Sequence, residues 1–518
     1  YGLVGSEMCI RDRVDALAGI GKYLESYEGY GISYEDVHDA INEHDISSAK
    51  GKFYPTSHTG KNEKRSQFFK ASFDILDKYV LTATLRRDGT DKFFPGNKYA
   101  LFPSVSGAWK ISNENFLKNI SWINLLKLRA SWGKTGQDNL GSSLYGSYAP
   151  NNFKVNFSDN GIINIPYVSM GANYPDVSWQ KTTMKNIGLD FYLLSDRISG
   201  SFDFFRNDIT RLLGYASTSP LAIYETRPIN GGHYYRRGWE LMVDTKNLVG
   251  EFTWDTSLTF SKTNSFWKER LPNYDYQIYQ QRENEPMSAY YYYNVTGIIN
   301  TDRSNMPESQ KTLQAEAQLP GCPIIEDKNK DGKIDENDVY MKDNSPAIYV
   351  GIGNTFTYKR FEFSFFMYGQ FGIQKYNIAY SAAQAGPLAV DYPENSNKFA
   401  YRLWNSQTNP NGSRPGLAIG KMGALPGNAW VNADRENASF MRMRNITLAY
   451  NLAGNILGSL QRYVRNIKVY VDAQNPFILT KFQGFDPEIY TGGGGASGGS
   501  RGEYPQTRTF SLGANITF

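Results

Sequence analysis

The acidic segment DKNKDGKIDEND, residues 327–338, combines side chains that could bind a metal ion. Positions one, three, five, nine and twelve carry side-chain oxygen, and glycine occupies position six, where an EF-hand loop makes its sharp turn. Aspartate replaces the usual glutamate at position twelve, and a solvated acidic loop is the alternative interpretation. Because no flanking helix pair is evident, we predict a structural Ca²⁺ in a surface loop instead of a switch. The predicted ligands are Asp327, Asn329, Asp331, Lys333 through its carbonyl, Asp335 and Asp338.

A second short motif, GASGG at residues 495–499, has the spacing of a hydrolase nucleophile elbow around Ser497. Such an elbow needs a strand before the serine and a helix after it, whereas the surrounding TGGGGASGGS is of low complexity. No Ser/His/Asp set or carboxylate pair with suitable spacing accompanies it. The sequence therefore predicts that the protein is not an enzyme.

Aromatic residues are the remaining candidates for ligand contacts. They could stack on sugar rings or pack against peptide side chains at the mouth of a channel. The alternative for residues 290–293 is a strand that crosses a membrane interface, with alternate rings in an aromatic girdle and in the lumen. The candidates are Tyr290, Tyr291, Tyr292, Tyr293, Trp404 and Trp430.

Composition narrows the classes of protein that could position these residues. The 518 residues are 15% aromatic and 20% charged, and no apolar run is long enough for a membrane-spanning helix. The net charge is +4 with scattered positive residues, so nucleic-acid binding has no support. Two cysteines, Cys9 and Cys322, exclude a disulfide framework. Composition alone leaves a membrane barrel and a soluble β protein open.

The final strand, TRTFSLGANITF, favours the membrane barrel. Apolar residues alternate with small or polar ones, which gives one face for lipid and one for the lumen. A C-terminal aromatic residue at the end of this pattern is typical of the closing strand of an outer-membrane barrel. The predicted assembly signal is the row Phe510, Leu512, Ala514, Ile516 and Phe518.

The same alternation recurs along most of the chain. Residues 68–75 place Phe69, Ala71, Phe73 and Ile75 on one face, and residues 125–132 set four apolar residues against a charged pair. We predict about fourteen strands of roughly nine to eleven residues each, the length that crosses a bilayer when tilted. Residues 14–64 lack the pattern and are predicted to be a polar loop with a short helix. No repeat near forty residues supports a propeller.

The lengths of the connections predict how the barrel is oriented in the membrane. Tight turns at residues 76–78 and 194–196 alternate with long segments at 271–346 and 372–437. Short turns on the periplasmic side and long loops on the extracellular side are typical of outer-membrane barrels. The prediction is an all-β, transmembrane, antiparallel β-barrel.

The order of motifs after residue 65 resembles the C-terminal part of SusC/RagA-type TonB-dependent outer-membrane transporters. The matching segments are KYVLTATLRRDGTDKF, LKLRASWGKTGQDNLG, WQKTTMKNIGLDF, RISGSFDFFRNDITRLL, RRGWELMV, DKNKDGKIDEND, NPFILTKFQGFDPE and YPQTRTFSLGANITF.

The resemblance implies import of a bulky nutrient, an oligosaccharide or a peptide, across the outer membrane of a Gram-negative cell. The implied partners are a SusD-like surface lipoprotein, TonB, the barrel-assembly machinery and the lipid bilayer. Such transporters begin with a TonB box and a plug domain and have about 22 strands. Neither N-terminal feature is found in this sequence, so we expect residues 14–518 to be a C-terminal part of the barrel, preceded by a non-native leader at 1–13. A passive porin and a surface-anchored binding or adhesion barrel stay open.

Overall fold

The structure is a computed structural model, and it describes most of the chain. The described residues are 12–34, 52–140, 144, 148–150, 157–159, 162–164, 167–169, 173–218, 226–272, 276–280, 283–377, 402–416, 419, 422–433, 435–453, 457–458, 462–484, 486–488 and 506–518.

One large antiparallel sheet dominates the fold, and its fourteen main strands lie side by side in sequence order. This order lets every strand take its hydrogen bonds from its sequence neighbours, so the connections never cross. The strands are β1 (Arg13–Tyr34), β2 (Phe53–Ile75), β3 (Tyr79–Thr90), β4 (Tyr99–Lys110), β5 (Ile123–Gln137), β6 (Gln180–Leu193), β7 (Ile198–Ser217), β8 (Thr226–Leu248), β9 (Phe252–Glu269), β10 (Ile348–Tyr358), β11 (Phe361–Phe371), β12 (Phe440–Ala453), β13 (Asn466–Gln474) and β14 (Thr509–Thr517).

Short elements fill the connections between these strands. Strand Ile478–Thr480 adds to the start of β12. Within the described residues there are also five small sheets, formed by Tyr148–Pro150 with Tyr167–Ser169, Phe157–Asp159 with Ile162–Asn164, Ala289–Tyr293 with Tyr340–Asp343 and Trp430–Val431, Val295–Ile298 with Pro323–Ile325, and Gln374–Tyr376 with Arg435–Asn437. Single 3-10 turns lie at Pro95–Asn97, Ile111–Asn113, Ile278–Gln280, Glu308–Thr312, Ala315–Gln318, Glu336–Asp338 and Pro426–Asn428. No helix in the described residues has the length and apolar character needed to cross a membrane.

The two faces of the sheet differ in chemistry, as the alternating sequence predicts. On β7, Phe202 and Phe204 are 41% and 50% exposed on one face, which we call the outer face. Asp203 between them points to the other, inner face, where it forms an ion pair with Arg129 of β5. An exposed apolar face backed by charged residues fits a sheet that has lipid on one side and a polar lumen on the other.

Aromatic residues form a band on the outer face near the short turns. Phe356 of β10 stacks with Trp254 of β9 at 5.7 Å and with Phe363 of β11 at 6.0 Å between ring centroids. Phe361 and Tyr450 meet at 4.7 Å on the next strand pair. Aromatic girdles of this kind lie at membrane–water interfaces, so this band marks one border of the membrane-spanning part of the wall.

The connections alternate in length, as predicted. Short turns join β2 to β3, β6 to β7, β8 to β9 and β10 to β11, and Leu194, Ser195 and Asp196 all adopt positive φ in the second of these. The long connections between β9 and β10 and between β11 and β12 lie at the opposite end. Antiparallel order therefore gathers all the long segments at one end of the wall.

The sequence-based prediction for residues 14–64 is wrong in its described parts. Instead of a loop with a short helix, β1 pairs with β2 along almost its whole length, in continuous register from Arg13↔Asp74 to Tyr34↔Phe53. Strand β1 begins at Arg13, and Asp12 accepts a hydrogen bond from the Leu76 main-chain N–H at 2.8 Å, which joins Asp12 to the turn between β2 and β3. Residues 35–51, which carry the weak helical period, lie outside the described residues.

Strand length is a second correction. Several strands are far longer than nine to eleven residues, with 22 in β1 and 23 in both β2 and β8. Because about ten tilted residues cross the hydrocarbon layer, the remainder extends beyond it at the end that carries the long connections. The wall therefore projects above the bilayer and can support the loops.

Both edges of the main sheet are open in the described residues. Strand β1 pairs only with β2, and β14 pairs only with β13. An edge strand leaves a row of unpaired N–H and C=O groups, which is costly in hydrocarbon. A membrane-spanning wall therefore needs a partner strand at each edge.

The assignment of faces predicts that a charge introduced on the outer face destabilises the protein more than one introduced on the inner face. Phe202→Arg places a cation on the outer face near the middle of the span and should lower the free energy of unfolding by roughly 2–4 kcal/mol. The neighbouring change Ser201→Arg points to the inner face and should have a much smaller effect. Denaturant unfolding of both variants in phospholipid bilayers compares them directly, and equal losses would contradict the assignment.

Candidate functional site in the loop domain and on the inner face

The two longest connections fold together into one unit, which we call the loop domain (the described residues of 276–346 and 402–437). Its core draws on both connections, and Tyr293, Ile299 and Val339 of the first are at most 1% exposed. Met422, Leu425 and Ala429 of the second connection pack into the same cluster. A hydrophobic core of its own gives this unit a fixed shape at the end of the wall.

A three-stranded sheet positions the predicted aromatic residues. Strand Ala289–Tyr293 pairs antiparallel with Tyr340–Asp343 and parallel with Trp430–Val431. Alternation directs Tyr291 and Tyr293 toward the core, and Tyr290 and Tyr292 to the opposite face. The strand thus belongs to the loop domain, and the alternative prediction that it crosses the membrane interface is wrong.

Tyr293 is a structural residue. Its side chain is fully buried, and its hydroxyl donates to the main-chain carbonyls of Asp335 and Pro426, each at 3.0 Å. Burial raises the pKa of this hydroxyl, so it stays a neutral donor. The prediction that Tyr293 stacks on a ligand is therefore wrong, because its ring has no access to one.

On the opposite face, three tyrosines stack on one another. Ring centroids lie 5.2 Å apart for Tyr290 and Tyr292, and 5.7 Å apart for Tyr292 and Tyr340. A cation covers each end of the row, with the Arg435 guanidinium 3.7 Å from the Tyr290 centroid and the Lys328 ammonium 4.6 Å from that of Tyr340. These contacts occupy the ring faces that a ligand would need. We therefore interpret the stack as a structural element that stabilises the loop domain.

The two predicted tryptophans have different environments. Trp404 packs against Gly321, where an added Cβ would lie 2.7 Å from a ring atom and where φ is +88°. Trp430 is 58% exposed and lies opposite Tyr292 in the small sheet. Among the six predicted aromatic residues, Trp430 thus keeps the most accessible ring.

The predicted metal-binding loop has a backbone arranged by its own side chains. Asp327 accepts the Gly332 N–H at 2.9 Å, and Gly332 has φ +88°, the left-handed conformation expected at a sharp turn. Asp338 closes the loop, accepting N–H groups from Lys328 at 2.9 Å and from Asp335 at 2.8 Å. The first and last aspartates therefore hold the two ends of the loop together.

Two features of this loop favour a cation. Asp338 is fully buried, and Oδ1 of Asp327 is buried without a hydrogen-bond partner. A buried carboxylate oxygen without a donor is costly, and a bound cation would satisfy it. The oxygen-rich donor set also suits Ca²⁺, which takes six to eight oxygen ligands.

Lys333 supplies positive charge to the loop. Its ammonium lies 2.9 Å from Asp335 and 4.0 Å from Asp331. The hydrogen bond from Lys333, followed by the one from the Asn337 N–H, holds the pKa of Asp335 below its usual range. This contact stabilises the folded loop above the ordinary aspartate pKa, and the contribution is lost as the pH falls through the lowered value.

The described residues contain no group of three or more His, Cys, Asp or Glu side chains at metal-binding geometry. Ca²⁺ binding would therefore require Asp331 and Asp335 to turn away from the Lys333 ammonium and toward Asp327. The structure brings the predicted ligands into one loop but leaves the prediction of a Ca²⁺ site untested.

Charged residues form a ladder on the inner face of the wall. Asp190 of β6 lies 2.7 Å from Lys127 and 2.8 Å from Arg129 of β5, and Arg129 also reaches Asp203 of β7 at 3.0 Å. Gly188 permits this crossing, since a Cβ there would lie 2.4 Å from the Asp203 carboxylate. The charged pair predicted to oppose the apolar row of β5 thus lines a polar interior.

A second inner-face cluster was not predicted. Arg442 of β12 is 3% exposed and donates to both carboxylate oxygens of Asp486 at 2.7 Å. It also donates to the Glu488 carboxylate. Tyr368 of β11 also hydrogen-bonds to Glu488. The cluster ties the connection after β13 to the inner face of the wall. The sequence signal for this cluster is the pair of carboxylates in the FDPE motif. Their partner, Arg442, can be identified only once the strands are in register.

The predicted assembly residues lie on the last strand. Phe510, Leu512, Ile516 and Phe518 are between 50% and 78% exposed, and Ala514 is also exposed. Register with β13 places Leu512 beside Val471 on the outer face. The GASGG motif around Ser497 lies outside the described residues. The role of this last strand as an assembly signal stays a prediction.

Comparisons with known proteins agree with this architecture. Residues 12–297 match the family model described as TonB dependent receptor-like, beta-barrel. The chain is 28% identical to TonB-dependent receptor P3 of Formosa agariphila over 90% of its own length and 46% of that protein. It is 29% identical to TonB-dependent receptor SusC of Bacteroides thetaiotaomicron, covering 89% of this chain and 44% of SusC.

Among solved structures, the RagAB peptide transporter matches the fold with a TM-score of 0.78 at 20% identity, covering all of this chain and 54% of that one. The chain thus spans about half the length of the relatives it matches.

The role of Tyr293 predicts a specific loss of stability. Tyr293→Phe removes the hydroxyl donor that the main-chain carbonyls of Asp335 and Pro426 share, and it should destabilise the loop domain by roughly 1 kcal/mol. Hydrogen exchange of residues 323–340 measures this as weaker protection. Tyr292→Phe, the same chemical change on the opposite face, is the control. Equal protection in the Tyr293→Phe variant and the unchanged protein would contradict the structural role.

Proposed function

Because this chain belongs to the family of TonB dependent receptor-like β-barrels, we propose that it works in the energised import of a bulky nutrient across the outer membrane. The protein is an outer-membrane β-barrel protein, and its family is one of receptors and transporters, not of enzymes. The family match over more than half of the chain is the observation that carries the proposal. An apolar outer face, a charged inner face and loops gathered at one end support it.

The proposed cargo is an oligosaccharide or a peptide. Support for this size class comes from the relatives, since one solved neighbour is a peptide transporter. Trp430, which is 58% exposed in the loop domain, is the residue we propose for contact with the cargo, through its ring face. The polar inner face would then offer hydrogen bonds along the path instead of an apolar trap.

The proposed partners follow from the same family. A SusD-like surface lipoprotein would bind cargo together with the loop domain, and TonB would supply the force that drives passage. The barrel-assembly machinery would recognise the outer-face row that ends at Phe518 of the last strand.

We also propose that the loop at 327–338 binds a structural Ca²⁺. The residues that would hold it are Asp327, Asn329, Asp331, Asp335 and Asp338, with the Lys333 carbonyl. The ion would fix the fold of a loop that packs Ile334 and Val339 into the core of the loop domain. Its role would be to stabilise the cargo-facing end of the protein, not to take part in chemistry.

Uptake measurements test the import proposal. Cells that carry this protein should accumulate labelled oligosaccharide or peptide only when TonB is functional, and Trp430→Ala should raise the cargo concentration needed for half-maximal uptake several-fold. Trp404→Phe is the control for an aromatic residue that packs within the protein. Uptake that is unchanged without TonB would identify a passive porin, and surface binding without any uptake would identify an adhesion barrel.

The Ca²⁺ proposal has its own test. Ca²⁺ should increase the hydrogen-exchange protection of residues 323–340, and a chelator should remove the increase. Asp327→Asn should weaken the apparent affinity by about tenfold or more, because affinity in such loops follows the number of charged ligands. Asp302→Asn makes the same charge change at an exposed aspartate outside the loop and should leave affinity unchanged. Protection that does not respond to Ca²⁺ in the unchanged protein would refute the site.

A further inference from the structure

Positive side chains cluster on the outer face of five neighbouring strands. We call this cluster the basic patch, and its members come one each from β5, β6, β7, β8 and β9. Hydrogen-bond register places Lys185 opposite Arg206, and Arg206 opposite Arg237. The members of the basic patch are Lys134, Lys185, Arg206, Arg237 and Lys262.

Register also shows that these residues share the face of the apolar rows. Lys185 lies two residues before Ile187, which is 57% exposed, and Arg206 lies two residues after Phe204. Side chains two apart on a strand point the same way. The basic patch therefore faces the surroundings of the barrel and not its interior.

The height of the basic patch can be read from the strands. Strand β7 begins at Ile198 beside a short turn, which makes Arg206 its ninth residue. Lys185 is likewise the ninth residue from Leu193, the end of β6 at the same turn. Since nine to eleven tilted residues cross the hydrocarbon layer, these cations lie at the membrane surface on the side of the long loops.

Aromatic rings hold the two guanidinium groups in place. Arg206 lies 4.5 Å from the centroid of the Tyr235 ring, and Arg237 lies 5.2 Å from that of Phe266. Tyr235 and Phe266 are themselves stacked at 5.3 Å. Lys134 lies 5.7 Å from the Trp132 ring. Interfacial aromatic residues beside fixed cations are typical of the level of lipid headgroups.

The positive charge of the basic patch is only partly neutralised within the protein. Asp208 forms an ion pair with Arg206 at 3.0 Å and approaches His233 at 3.6 Å. Within the described residues, Lys134, Lys185, Arg237 and Lys262 form no ion pair with a carboxylate. Four cations thus have charge available for an external anion.

Four strands toward the other edge of the wall lack this feature. Strands β10, β11, β13 and β14 contain a single Lys or Arg between them, Lys468. Its ammonium binds Glu362 at 2.9 Å on the inner face. Outer-face cations are therefore not a general property of the strands in this protein, although Arg87 of β3 is a further one outside the basic patch.

From this position and charge we propose that the basic patch binds the phosphate groups of lipids in the outer leaflet of the outer membrane. Arg237 can present two N–H groups to a phosphate, and the three lysines add charge without fixed geometry. The apolar rows below the patch pack against the acyl chains of the same lipid. Cations close to an anionic membrane surface strengthen binding by a roughly constant factor each.

The test measures lipid retention by the protein. The protein is reconstituted in phosphatidylcholine nanodiscs doped with lipid A that carries two phosphates, or with the same lipid A after enzymatic dephosphorylation. Native mass spectrometry then counts the lipid that stays bound. Retention of the phosphorylated form should exceed that of the dephosphorylated form.

The variants remove charge on one face at a time. Lys185→Gln with Arg237→Gln neutralises two cations of the basic patch and should weaken retention of phosphorylated lipid A by about fivefold for each charge, or about twenty-five-fold together. Lys70→Gln with Arg236→Gln removes the same charge from the inner face, since each lies next to an outer-face residue, and should leave retention unchanged. Heat-modifiable migration in electrophoresis checks that both double variants are folded.

Three outcomes would overturn the proposal. Phosphorylated and dephosphorylated lipid A would be retained equally, or the inner-face control would lose as much lipid as the outer-face variant. Alternatively, the protein would form a lipid-independent dimer that only the outer-face variant dissolves, which would assign the basic patch to a second copy of the chain.

Discussion

A protein backbone within hydrocarbon must satisfy its own hydrogen bonds, and the architecture of this protein follows from that requirement. Each main strand meets it by pairing with its sequence neighbours along one continuous antiparallel path. That path fixes the alternation of side chains, so lipid-facing residues such as Phe202 and lumen-facing residues such as Asp203 can be adjacent in sequence. It also sends every long connection to the same end of the wall.

Charged and hydrogen-bonding side chains are concentrated where the protein does not contact hydrocarbon. On the inner face, Arg129 and Asp190 pair across strands, and Arg442 holds Asp486 and Glu488 from a loop. Beyond the bilayer, the loop domain builds a core around Tyr293, which in turn anchors the carbonyl of Asp335 in the proposed Ca²⁺ loop. At the boundary, the basic patch combines both environments, with acyl chains below and headgroups beside it. In the first of these regions, the buried Arg442 guanidinium lies against two carboxylates of opposite charge.

The strands that cross the bilayer were predictable because lipid and lumen impose period-two alternation on them. Residues 68–75 and 79–88 show the pattern plainly, and both lie in main strands. Strand β1 was missed since residues such as Gly19, Gly21 and Glu25 interrupt its apolar rows, and much of its length extends beyond the membrane.

Partnerships between distant segments could not be read from the sequence. The four consecutive tyrosines at 290–293 divide into two directed toward the core and two in a stack with a cation at each end only when Tyr340, Trp430 and Arg435 are brought beside them. In contrast, the 327–338 loop was visible as a motif because its ligands are local. Its geometry agrees with the expected turn at Gly332, whereas the presence of an ion depends on groups that a motif does not fix.

We place the loop domain outside the cell and the short turns in the periplasm, with the wall spanning the outer membrane between them. The most direct measurement is labelling of single cysteines by a membrane-impermeant maleimide on intact cells, in a background in which Cys9 is replaced and the fully buried Cys322 is retained. Asp302→Cys in the loop domain should be labelled on intact cells, and Gly250→Cys in the turn between β8 and β9 should be labelled only after the outer membrane is opened. Labelling of Gly250→Cys but not of Asp302→Cys on intact cells would contradict the orientation, and equal labelling of both would contradict the membrane-spanning wall.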